Sequence, residues 1–152
     1  MLDSAIFAFL HHAAAFTMVS ALAVEFVLLR GELTLASART IQRTDIVYGV
    51  SATVLVIVGF LRVFFFEKGS VYYFSSAPFI AKISLFVLVA LVSIPPTFEF
   101  LKWRKATNQG SVPTLEPKRL AHIRRLVHIE LAGVVFILLC AALMARGIGS
   151  FN

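Results

Sequence analysis

Residues 126–145 read LVHIELAGVVFILLCAALMA, twenty positions broken only by His128 and Glu130 among the readily charged side chains. A helix rises 1.5 Å per residue, so about 20 apolar residues cross the roughly 30 Å hydrocarbon core of a bilayer. Three similar runs precede it, at roughly 5–29, 46–66 and 77–100. Across all 152 residues, 59% are apolar and 14% charged, with a mean hydropathy of +0.90. A water-soluble domain carries about a quarter of its residues charged. The sequence therefore predicts an all-α fold, an integral membrane four-helix bundle. It forms a single transmembrane domain over 1–152, with no length left for a second, soluble domain.

The net charge of +6 does not call for nucleic acid, because its placement follows the membrane. Arg30, Arg39 and Arg43 lie between the first two runs. Lys102, Arg104, Lys105, Lys118, Arg119, Arg124 and Arg125 lie between the last two, so ten of fourteen cations gather on one face. The positive-inside rule makes that face cytoplasmic. This predicts a multi-pass protein of a bacterial inner membrane with both termini periplasmic and anionic lipid as the partner of the basic loops. The lone Cys140 provides neither a disulfide framework nor a thiolate metal site.

Local signals divide the runs. Asp3 opens a first run that extends to Leu29, which reads as a retained helix rather than a secretory signal. Thr44 and Asp45 resemble a cap for the second helix, and Glu67-Lys68-Gly69 stops it. Tyr72, Tyr73, Phe74 and Phe79 form an aromatic belt around the outer loop. Ser75, Ser76 and Pro78 start the third helix, while Pro95-Pro96 is expected to kink or end it. Thr107 to Pro117 reads as a loop.

Ionisable residues inside the spans are costly and face the bundle interior or a polar cavity. At 100° per residue His11 and Glu25 lie about 40° apart on one stripe with Met18 and Leu22, whereas His12 lies over Phe16, Val19 and Ala23. His11 is the better inward-facing imidazole, although either histidine serves equally as a hydrogen-bonding partner for a neighbouring helix. Glu25 is expected to pair with a loop arginine. His11, His12, Arg62 and Lys82 all fall in the outer half, a basic set suited to an anion, unless the two cations snorkel to the surface. Asp45, Glu99, His128 and Glu130 gather toward the other face. His11 and His128 are roughly 15 to 20 Å apart along the normal, too far to share one iron.

Two resemblances bear on these residues. Leu10-His11-His12-Ala13-Ala14, the run Arg62 to Gly69, Tyr72-Tyr73 and Phe79-Ile80-Ala81-Lys82 resemble a bacterial family of four-helix membrane proteins of unknown function (DUF2214-like), over nearly the full chain. More distantly, Leu10-His11, Lys82 and the basic approach from Arg124 to Glu130 are similar to HemJ-type protoporphyrinogen oxidases and CopD-like membrane proteins. That resemblance implies a tetrapyrrole site holding haem b or a porphyrin. His11 would be the iron ligand, His12, Arg62, Lys82 and Glu130 would contribute to binding, and the role would be redox or haem handling of the HemJ-like oxidoreductase type. The match is incomplete: Phe16 to Glu25 lacks the tryptophan and arginine of the HemJ pattern, and Ile129 stands where that pattern has asparagine. The alternatives are a small-molecule or ion transporter, suggested by ionisable residues in every helix, and a structural subunit without cofactor. Small residues such as Ala13 to Ala15 admit a homo-oligomer.

Overall fold

The computed structural model describes residues 2–66 and 73–149. Four helices follow one another: α1 (Leu2–Arg30), α2 (Leu35–Leu61), α3 (Ala77–Asn108) and α4 (Pro117–Ala145). A π-helical turn, Arg62–Phe66, extends α2. All four are long and apolar enough to cross a membrane. The expected stop at Glu67-Lys68-Gly69 and the belt residue Tyr72 lie outside the described residues.

The helices form a ring in which α1 packs on α2 and α4, and α3 packs on α4 and α2. The sequential hairpins α1–α2 and α3–α4 meet more extensively than the pairs that close the ring. One contiguous core runs through the middle, with Leu22, Ala38, Ile41, Phe100, Val127 and Val134 almost wholly enclosed. The outer faces are as apolar as the core: Phe9 is 70% exposed and Phe16 and Phe65 are each 74% exposed. Surface of that kind is stable only against lipid, where helices satisfy their backbone polar groups internally.

The start of α2 departs from the sequence reading, and α3 runs on through Thr107 and Asn108 into the expected loop. α2 begins at Leu35, not after Thr44-Asp45. Thr34 caps it, with its hydroxyl accepting from the Ser37 amide at 3.1 Å and the Ser37 hydroxyl accepting from the Thr34 amide at 2.8 Å. Arg39 and Arg43 therefore sit on a helix, and the α1–α2 connection shrinks to residues 31–34. In α3 the Pro95-Pro96 pair does not end the helix, which continues to Asn108. Each proline removes the donor for the carbonyl four residues earlier, but contacts with other helices hold the segment beyond. The Gln42 amide donates to the Phe100 carbonyl, and the Arg39 guanidinium donates to the Thr107 carbonyl, both at 2.8 Å.

α3 and α4 approach closely at Gly133. A Cβ there would stand 2.5 Å from Val89 Cγ2, so the position requires the absence of a side chain. Gly133→Ala is expected to destabilise the bundle by about 1–3 kcal/mol through overpacking. Thermal unfolding in detergent measures this, and Val89→Ala in the same chain should recover most of the loss.

Candidate functional site

Two polar centres lie on one stripe of α1. Glu25 follows His11 by fourteen residues, about 21 Å of helix axis, so the shared face serves two separate levels.

The first centre joins three helices. His11 is half-buried on α1, with its ring on bare α2 backbone: a Cβ at Gly59 would lie 3.2 Å from His11 Cε1 and 3.5 Å from Nδ1. The Leu55 carbonyl is nearby, and Nδ1 is buried without a hydrogen-bond partner. Arg62 at the end of α2 and Lys82 on α3 are its charged neighbours. Lys82 lies 5.3 Å from the Phe79 ring centroid and close to Arg62 and Cys140. His12 takes the other direction. It is exposed, and its Nδ1 contacts the Ala8 carbonyl of its own helix at 2.6 Å.

The second centre joins all four helices. Glu25 (α1), Asp45 and Tyr48 (α2), Thr97 (α3) and Glu130 (α4) are drawn together. Glu25 and Glu130 are each only 2% exposed, and each has a carboxyl oxygen without a hydrogen-bond partner. Glu25 faces Asp45 and Glu130, which overturns the expected pairing with a loop arginine. The Thr97 hydroxyl donates to Asp45 at 2.8 Å. The Tyr48 hydroxyl adjoins both Glu130 and Ser93. Tyr48 and Ser93 also line a cavity of about 200 Å³ whose remaining walls are apolar, among them Met18, Phe86, Val89 and Ile137. Among the described residues, no three His, Cys, Asp or Glu side chains are arranged to hold a metal ion.

The five residues singled out for a tetrapyrrole therefore do not form one pocket. His11, Arg62 and Lys82 come together as a basic set beside the Leu55 carbonyl. His12 is turned away, and Glu130 belongs to the carboxylate centre. Of the other acids, Glu99 is a helix-end partner. It accepts from Arg119 Nε at 2.6 Å and from the Trp103 indole at 3.4 Å. His128 is exposed, with its ring 5.6 Å from that of Phe26. Tyr48 and Ser93 were missed as members of the second centre. Val127, Glu130 and Val134 recur at the spacing of one helical face, which is the signal in the sequence that Glu130 faces inward, and all three are buried.

A ring of four lipid-facing helices with ionisable groups in its interior defines a polytopic membrane protein. A family described as "Predicted membrane protein (DUF2214)" matches residues 3–149, and the chain belongs to it. No curated protein and no solved structure matches.

The Glu99–Arg119 pair makes a separate expectation. Arg119 is half exposed, so the ion pair itself contributes little. Removing the arginine nevertheless strands a buried carboxylate. Arg119→Gln should cost about 1–2 kcal/mol of thermal stability, most of it recovered when Glu99→Gln is added.

Proposed function

We propose that this membrane protein handles protons within the bilayer through Glu25, Asp45 and Glu130. The observation that carries this reading is the burial of three carboxyl groups in one level of the bundle, within electrostatic reach of Glu25, with one oxygen of Glu25 and one of Glu130 left without a partner. No lysine or arginine neighbours them among the described residues. Several uncompensated negative charges in a low-dielectric interior are prohibitive, so protons balance them. Carboxyl groups from α1, α2 and α4 then pass a proton among themselves, and the Tyr48 and Ser93 hydroxyls extend the polar path to the cavity.

A second reading concerns the other centre. Unpartnered His11 Nδ1 beside Arg62 and Lys82 supports a group carrying both a metal and carboxylates, such as haem b or a related tetrapyrrole. A haem there supplies one-electron chemistry, while the chain contributes an imidazole and two cations for the propionates. The distribution of cations supports an inner-membrane orientation with the basic end cytoplasmic and the termini periplasmic. Reporters fused after Asn152 should give periplasmic signals, and a cytoplasmic signal reverses the orientation.

Proteoliposomes under a potassium diffusion potential, read with an internal pH dye, test the proton reading. Wild-type protein should acidify or alkalinise the lumen faster than empty vesicles. Glu25→Gln and Glu130→Gln should fall to the empty-vesicle rate, and Glu116→Gln, an exposed change outside the bundle, should not. Equal rates in wild type and both buried variants would refute it. A Soret band in the purified protein that disappears in His11→Ala and Lys82→Met but survives in Glu25→Gln would support the haem reading instead.

A further inference from the structure

The basic end of the bundle holds a concave site apart from both polar centres. Between the last turn of α1 and the first half of α4 lies a cavity of about 240 Å³. Arg30, Arg124, Arg125 and His128 supply its polar wall, and Phe26, Leu29 and Val127 its apolar one. Among the described residues no acidic side chain lines it.

A helix C-terminus ordinarily repels an anion, because its last carbonyls lack intrahelical donors and carry the negative end of the dipole. Here Arg124 reverses that. Its Nε donates to the Leu29 carbonyl and its terminal nitrogen donates to the Gly31 carbonyl at 3.2 Å, so a guanidinium covers the end of α1. Arg124 is thus committed to the fold, while Arg30 and Arg125 stand exposed at the opening. Arg30 is held over the Phe26 ring, its central carbon 4.1 Å from the centroid, which fixes the charge beside the cavity.

We propose that this cavity binds the headgroup of an anionic phospholipid, with the phosphodiester between Arg30 and Arg125 and His128 as a further donor. Guanidinium groups match phosphate oxygens in geometry as well as charge. The apolar wall decides between sources of that phosphate. A free inorganic anion would lie half against Phe26, Leu29 and Val127 without solvation, whereas the glycerol and first acyl carbons of a lipid cover those side chains. The site differs from general attraction of basic loops to the leaflet, because Lys102 and Lys105 at the same end are exposed and outside the cavity.

Native mass spectrometry of the full chain in detergent, titrated with phosphatidylglycerol and with phosphatidylcholine of the same acyl chains, tests the assignment. Phosphatidylglycerol should bind with the higher affinity. The double variant Arg30→Gln, Arg125→Gln should weaken its binding about tenfold or more, and Lys102→Gln, Lys105→Gln should change it less than about twofold. Both pairs are exposed, and circular dichroism spectra matching wild type are the control for intact folding. Excess inorganic phosphate should leave the lipid bound. Equal affinity for the two lipids, equal losses in the two double variants, or displacement by inorganic phosphate would each overturn the proposal.

Discussion

Hydrocarbon offers no hydrogen bonds, and the placement of polar groups in the described helices follows from that fact. The backbone answers by forming helices, and the ionisable side chains gather mainly in the ring's interior and at its ends. Where the backbone loses a bond, a local substitute appears nearby. Pro95 and Pro96 deprive the Leu91 and Val92 carbonyls of helical donors, and α3 holds its course because α2 grips its later half through Gln42 and Arg39. Serine and threonine hydroxyls turn back onto their own helices, as Ser93 does to Ala90 and Thr17 to Ala13. One carboxyl oxygen of Glu25, one of Glu130 and Nδ1 of His11 lack such an answer, which marks out the two polar centres.

The interior is also polarised along its axis. A basic level holds His11, Arg62 and Lys82, and an acidic level holds Glu25, Asp45 and Glu130. α1 contributes one residue to each, on the same face. The separation lets two incompatible charge environments coexist in one narrow bundle, because apolar Ala14, Met18, Ala21 and Leu22 fill the stretch between them on α1.

The four spans were plain in the sequence because lipid demands unbroken apolar length. The start of α2 was not, since the segment before position 46 is polar. Its buried positions Ala38, Ile41, Asp45 and Tyr48 nevertheless keep helical spacing, and the Thr34–Ser37 box lacks the usual Glu or Gln at its third position. The face of α1 carrying His11 and Glu25 was legible from periodicity. What each residue meets was not, because the axial register of neighbouring helices is set by packing such as Gly133 against Val89, which a helical wheel does not encode. Tyr48 and Ser93 escaped notice for a simpler reason. Hydroxyls are inexpensive in a membrane and attract no attention until a carboxylate is found beside them.

The grip of Arg124 on the carbonyls of Leu29 and Gly31 has a temporal side. The turn of the first hairpin is closed by a residue that follows Leu29 by 95 positions. During synthesis the first two helices are complete long before that guanidinium exists, so the end of α1 must meanwhile rely on water or headgroups for its free carbonyls. The hairpin reaches its final form only when the last helix arrives, which makes α4 the keystone of assembly order as well as the fourth wall of the ring.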